Sequence, residues 1–330
     1  MDVLKTDIAI IGGGIAGLWT LNRLCSLGYD ARLFEKTALG SGQTIAAQGI
    51  IHGGMKYTLG GITQPQASTL AAMPQRWLDC LEGRGEIDLR KTDILSRRHE
   101  VRARTPVGDV RLHDFTEPVI AVKSLLQNLR DNESQRIHYT QPFESRLTIH
   151  ACGMGNEEFA SGQRRPMRMM MCRTMNALHY AHYAEMSTKP RVTITAHLFE
   201  GEVIWYLGGN LAEKAVGMNT QTAINWAKSE MKALFPDLLM DWDRRGWAVH
   251  DVDRCEPLAG MKLPNGPVLH TEGNTATAWP AKMALAPVLA DKVALWVQRM
   301  GVHPTRRPQS PRNDPVPQVA KYPWEEATWH

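Results

Sequence analysis

Cysteine is sparse and scattered. The five cysteines of this 330-residue chain, Cys25, Cys80, Cys152, Cys172 and Cys255, are odd in number and form no CxxC pair. That excludes a disulfide framework and a zinc knuckle, and it suits a reducing compartment. Long apolar runs are lacking too: the richest stretch, 8–27, is broken by glycines, Asn22 and Arg23, so it cannot span a bilayer. The chain does not open with the basic start, apolar core and small-residue cleavage site of a secretory signal. No charge of one sign dominates. Lys and Arg number 38 against 34 Asp and Glu, an excess too thin and dispersed to argue for nucleic acid. No histidine has partners at metal-ligand spacing, so no metal is expected. These absences predict a cytoplasmic protein without a transmembrane segment, and they leave peripheral attachment to a membrane open.

What is present is ordinary globular composition, 43% apolar and 22% charged, which excludes a disordered or fibrous chain. The length suits about two lobes, each with its own core. The strongest local signal lies in the first forty residues. Residues 7–11 read as a short buried strand that ends abruptly in glycine. Gly12, Gly14 and Gly17 then occupy all three positions of a GxGxxG pattern, and Leu18, Leu21, Leu24 and Leu27 follow at helical spacing up to Gly28. Residues 31–34 form a second apolar strand, closed by Glu35.

Each part has a physical task. Gly12 permits the tight turn, Gly14 lets backbone approach a pyrophosphate, and Gly17 lets helix pack close on strand. The helix N-terminus at Ile15 and Ala16 offers free amides and a positive dipole end to phosphates. Glu35 is placed to accept hydrogen bonds from ribose hydroxyls. Together these predict dinucleotide binding, with FAD and NAD both compatible at this point.

The segment 40–57, GSGQTIAAQGIIHGGMKY, resembles the glycine oxidase and D-amino-acid oxidase superfamily of FAD-dependent oxidoreductases. Its ending, 51–57, is similar to FAD-linked glycerol-3-phosphate dehydrogenases and L-2-hydroxyglutarate oxidoreductases. The resemblance implies non-covalent FAD, and a loop running beneath the pyrophosphate to the flavin ring. On that basis Lys36, Ser41, Gln43, Thr44, Gln48 and Gly49 join the cofactor-binding residues. The family's late strand and glycine turn match 147–155, which adds Gly153. Segment 254–257 and then 265–267 resemble its Arg-x-x-Pro and Asp-Gly-x-Pro elements. Its last helix matches 281–297, which adds Trp279 and Lys282 at the flavin's pyrimidine edge. One departure stands out: the family inserts a three-stranded meander after the strand at 136–140, and only 141–146 is available here.

The implied fold is an α/β FAD-binding domain of the Rossmann-like, glutathione-reductase type, joined to an α+β substrate domain with a mostly antiparallel or mixed sheet. The FAD domain is expected to be discontinuous, over 1–75, 115–160 and 255–300. The substrate domain takes 76–114 and 161–254, and 301–330, with six of the nineteen prolines, forms a tail that wraps a surface or hangs loose. Helices are expected over 64–81, 118–129 and 219–235, the last capped by Asn219. Methionines 167, 169, 170, 171 and 175 are read as core packing.

Three residues are catalytic candidates. Arg254 matches the position where amino-acid oxidising members clamp a substrate carboxylate with a forked guanidinium, or it forms an ion pair with an acidic neighbour. His52 takes a substrate proton as a neutral imidazole, or is satisfied by backbone under its loop. Lys282 adds charge near the flavin, or is solvated. Substrate contacts are expected from His52, Lys56, Tyr206 and Arg254, with Arg165 a weaker candidate. The reaction implied by the resemblance is oxidation of a CH–OH or CH–NH group in a small anionic substrate, with oxygen, a quinone or a protein as electron acceptor. Two alternatives remain at this point, a non-catalytic FAD-binding protein and an NAD-dependent dehydrogenase.

Overall fold

The computed structural model describes residues 3–54, 67–106, 108–175, 178–184, 189–236, 242–258, 266–305 and 314–330. In chain order the strands are β1 (Leu4–Ile11), β2 (Ala31–Glu35), β3 (Ile94–Ser96), β4 (His99–Thr105), β5 (Gly108–Phe115), β6 (Val119–Ile120), β7 (Ile137–Tyr139), β8 (Phe143–His150), β9 (Gly162–Thr174), β10 (Ala181–Tyr183), β11 (Val192–Phe199), β12 (Glu202–Gly208), β13 (Trp247–Pro257), β14 (Val268–Glu272) and β15 (Thr275–Trp279). The helices are α1 (Ile15–Ser26), α2 (Ala67–Ala71), α3 (Met73–Leu81), α4 (Val122–Asn132), α5 (Asn210–Lys214), α6 (Thr220–Leu234) and α7 (Ala286–Arg299).

The first lobe is a six-stranded sheet in the order β14-β15-β8-β1-β2-β7. Every pair in it is parallel except the β14–β15 hairpin. Ile8, Ala9 and Ile10 are fully buried, as a central strand covered on both faces requires. Helix α1 packs against α4 and α7. The chain passes from β7 to β8 through residues 140–142 alone, so no meander interrupts this sheet.

The second lobe is a seven-stranded sheet, β13-β9-β12-β11-β10-β4-β5, antiparallel except for the β10–β4 pair. Helix α6 lays Ile224, Ala227, Met231 and Leu234 onto this sheet, and Asn219 caps it by accepting from Thr222 N–H at 2.9 Å. Met169, Met170 and Met171 are buried on alternate faces of β9. This is the α/β plus α+β arrangement expected from sequence.

Several element boundaries differ from expectation. Two helices replace one over 64–81, because Pro74 lies in the first turn of α3 and has no N–H to continue a preceding helix. Before α4, Val119 and Ile120 pair with β3 instead of joining the helix. The last helix begins at Ala286 rather than 281. Ala281 takes a positive φ of 60°, Lys282 is extended, and Pro287 marks the true first turn. Trp77, Cys80, Leu81, Ile87 and Leu89, in the segment expected for the substrate domain, are buried in the core of the first sheet.

The tail is packed over its described part, 314–330. Val319 bridges Leu39 beside β2, while the Trp247 and His330 backbones exchange hydrogen bonds at 3.0 and 2.8 Å. Between those points Tyr322 and Trp324 stack at 4.2 Å, and Trp324 lies 4.3 Å from His197 of the second sheet. The tail therefore joins the two lobes.

Candidate functional site

The glycine turn is forced by packing. A Cβ on Gly12 would meet Ala151 O at 2.5 Å, and Gly12 itself has φ of +109°. No side chain caps α1 at Gly14, so its first turn faces a cleft of 450 Å³. Glu35, at the end of β2, lines the cleft. It accepts from Gly13 N–H at 2.7 Å and Thr37 N–H at 2.9 Å, which holds its carboxylate beside the turn. Thr44 Oγ1 accepts from Ile15 N–H at 3.1 Å. Gln43 reaches across to the other lobe and accepts from Cys255 N–H at 3.1 Å.

Gly12, Gly14, Ile15, Ala16, Glu35, Lys36, Ser41, Gln43, Thr44, Gly153, Trp279 and Lys282 all border this one cleft. Glycines where a Cβ would collide, a helix N-terminus whose cap position is a glycine and a carboxylate at a strand end suit a dinucleotide pyrophosphate and ribose. Three further expected residues have other places. Gly17 supports the α1–β1 crossing. Gln48 Nε2 donates to Thr193 O at 3.1 Å and Tyr206 O at 2.9 Å, which ties the loop to the second sheet. Gly49, with φ of +73°, sits where a Cβ would lie 2.1 Å from Ile120 O. For the two glycines the reason is backbone packing between neighbouring segments; for Gln48 it is a side-chain tie to the second sheet.

The cleft also has walls that sequence reasoning missed. Cys152, Met154 and residues 250–253 with Cys255 of β13 line it. Burial pushes the Cys152 thiol up to about 11, and it raises that of Cys255. Arg168 holds the Asp251 carboxyl below its ordinary range. Cys152 and Met154 flank Gly153 and were within reach of the glycine-turn reading. Residues 250–253 carry no local signal, because only tertiary pairing brings that part of β13 to the first lobe; Cys255 lies within the 254–257 resemblance.

The substrate candidates divide. Lys56 lies outside the described residues. Tyr206 is fully buried, and its hydroxyl donates to Ala46 O at 2.9 Å, so the structure makes it a link between lobes rather than a substrate contact. Arg254 does not border the cleft. It pairs in register with Arg165 across β13 and β9, and its Nη2 lies 3.1 Å from Glu213 Oε1. Arg165 is 3.8 Å from Glu213 and 3.2 Å from Glu256. The partner of Arg254 is thus Glu213 of α5, not one of its acidic neighbours in β13. Burial opposes ionisation of Glu213, yet Lys189 and Arg254 hold its carboxyl below the usual range. His52 also lies off the cleft border, with Nδ1 3.5 Å from Glu117 Oε2.

Comparison with known proteins decides what the cleft is for. A family model described as DAO, FAD dependent oxidoreductase, matches residues 7–105. The chain is 33% identical to a probable FAD-dependent oxidoreductase of Pseudomonas aeruginosa over 394 aligned positions, which cover 99% of each. The chain belongs to the DAO family of FAD-dependent oxidoreductases. The crystal structure of the Pseudomonas aeruginosa FAD dependent oxidoreductase superposes with a TM-score of 0.88 at 31% identity, covering 98% of this chain and 99% of that one. Two more distant structures share the fold. Glycine oxidase from Geobacillus kaustophilus has a TM-score of 0.64 at 13% identity, covering 93% and 100%. Glycerol-3-phosphate dehydrogenase from Bacillus halodurans, complexed with FAD, has a TM-score of 0.58 at 12% identity, covering 93% and 66%. FAD is the oxidoreductase's cofactor, and the residues of the 450 Å³ cleft fit it. Among the described residues no helix is long and apolar enough to cross a membrane, and no group of side chains is arranged to hold a metal.

Proposed function

We propose that this oxidoreductase oxidises a CH–OH or CH–NH group of a small anionic substrate held between the second sheet and the flavin end of the cleft. FAD, when bound, supplies the acceptor for the hydride leaving the substrate carbon. The protein's own groups bind, orient and deprotonate. Gly12, Gly14, Ile15 and Ala16 meet the pyrophosphate, Glu35 the ribose, and Trp279 with Lys282 the pyrimidine edge, where a cation stabilises developing negative charge.

The observation that carries the substrate class is the Arg254–Arg165 pair. Two guanidiniums face one another across β13 and β9, and both already reach a carboxylate, that of Glu213. A substrate carboxylate would replace Glu213 on Arg254, with a forked contact fixing which face of the substrate carbon meets the flavin. His52 accepts the hydroxyl or amine proton as hydride departs.

Anaerobic stopped-flow of the FAD-loaded protein tests this directly. The visible flavin band is followed against 2-hydroxy acids, amino acids and glycerol 3-phosphate. Bleaching by one anionic class, lost in Arg254→Ala, is the expected result. A flavin bleached equally well in parent and Arg254→Ala would overturn the clamp. Reoxidation with oxygen, a quinone analogue or an added protein then identifies the acceptor class.

A further inference from the structure

Away from the cofactor cleft, titratable side chains gather where the loop after Ala47 crosses toward the second sheet. Residues 49–51 run antiparallel to 118–120. Ile120 N–H donates to Gly49 O at 3.0 Å, Ile51 N–H donates to Pro118 O at 2.9 Å, and Ile50 bridges Val119. One more step in that register sets His52 opposite Glu117. The Glu117 side chain is only 6% exposed, and its two oxygens serve different partners. Oε1 accepts from Gly53 N–H at 2.6 Å, while Oε2 lies 3.5 Å from His52 Nδ1, at ion-pair distance but not aligned as a hydrogen bond.

The sheet restricts the ring from another side. His182 of β10 stacks on His52 with centroids 5.3 Å apart and planes at 20°. Its own Nδ1 is 2.7 Å from Thr193 Oγ1. His99 of β4 stands edge-on to His182 at 4.2 Å and to His52 at 6.4 Å. Glu117 is the one carboxylate in this set, and it lies within ion-pair distance of His52.

A carboxylate beside Nδ1 favours the tautomer with its proton there, leaving the lone pair on Nε2. We propose that Glu117 is the positioning residue of His52: Oε2 selects the Nδ1–H tautomer, and Oε1, through Gly53, holds the loop that presents the ring. The catalytic meaning of this assignment rests on the proposed function. With FAD bound to take the hydride from the substrate carbon, His52 Nε2 would take the X–H proton. The imidazolium so formed faces the Glu117 charge.

Glu117→Gln separates the two roles. Its amide oxygen can still accept from Gly53 N–H, whereas the charge beside His52 is gone. Long-range proton–nitrogen correlation spectra of FAD-loaded protein, isotope-labelled at histidine and held at mildly alkaline pH, read each ring's tautomer. His52→Asn identifies the signal among the twelve histidines. We expect Nδ1–H for His52 in the parent and a mixed or Nε2–H population in Glu117→Gln. An Nε2–H ring in the parent, or an unchanged tautomer in the variant, overturns the proposal. If the variant does not hold FAD, the parent's tautomer decides alone. With the compound that bleaches the parent flavin, Glu117→Gln should lower the limiting reduction rate about 10- to 100-fold at an unchanged half-saturating concentration. A rate lost in His52→Asn but intact in Glu117→Gln also overturns the assignment. A rate intact in His52→Asn instead removes the proton acceptor from the proposed function, and the tautomer result then stands by itself.

Discussion

A Cβ built on Gly17 would lie 1.9 Å from the carbonyl oxygen of Gly12. The first turn of α1 therefore rests directly on the end of β1. That contact aims the helix N-terminus into the cleft, so in the proposed function the same glycine serves stability and FAD binding.

Gly17→Ala should separate helix from strand. The colliding atom is backbone, which cannot swing aside as a flexible side chain would, and we expect a loss of about 3 kcal/mol. The purified variant should be colourless or weakly yellow. The ratio of visible to ultraviolet absorbance and a thermal melt measure this, and retention of full FAD content would contradict the packing argument.

Arg254→Ala should act on substrate more than on folding. A charged hydrogen bond is worth about 1.5–3 kcal/mol, so the half-saturating concentration of the anionic substrate should rise at least about 10-fold. The Glu213 pair lies at a partly exposed position, where such pairs contribute about 1 kcal/mol or less. The melting temperature should barely move. A large melting shift without a binding defect would assign Arg254 to structure.

Acid should loosen the lobe junction through His197. Burial beside Trp324 and Tyr206 pulls its imidazole from the ordinary 6.5 to about 3. The folded chain keeps this ring neutral, whereas the unfolded chain takes up a proton below about 6.5. Stability present above that pH is therefore lost as pH falls toward 3, at about 1.4 kcal/mol per pH unit. Burial also lowers His150, His179 and His250, which adds in the same direction. Urea melts at several pH values should show a shallower acid limb in His197→Gln, by about one proton.

Trp324→Ala should free the tail. Its ring is 2% exposed and packs against Tyr322, His197 and Tyr206; truncating a buried Trp costs about 3–5 kcal/mol. Limited proteolysis should then cut within 314–330, where the parent resists, and a parent-like cleavage pattern would show that backbone pairing at Leu39 and Trp247 suffices.

Much of the cofactor site was legible because its determinants are local. Gly12, Gly14, Gly17 and Glu35 belong to one continuous strand–helix–strand unit, and the glycine spacing reflects collisions within that unit. Gln48 and Gly49 lie in the same loop as Gln43 and Thr44, yet they turn from the cleft toward β11, β12 and β6. Local spacing cannot tell which way a loop residue turns. Arg254 was singled out for its position, but its partner Glu213, forty-one residues earlier, emerges only from the β9–β13 pairing and the placement of α5.

By itself, then, the amino-acid sequence determined a dinucleotide-binding first lobe and a β-rich second lobe, since hydrophobic period and glycine position act within a few residues. Tertiary structure alone decided that β13 walls the cleft and that the proline-rich tail fastens one lobe to the other. It also brought Glu117, sixty-five residues away, beside His52. Those outcomes depend on long-range strand register and on which surfaces find each other during folding, and a local pattern carries no information about either.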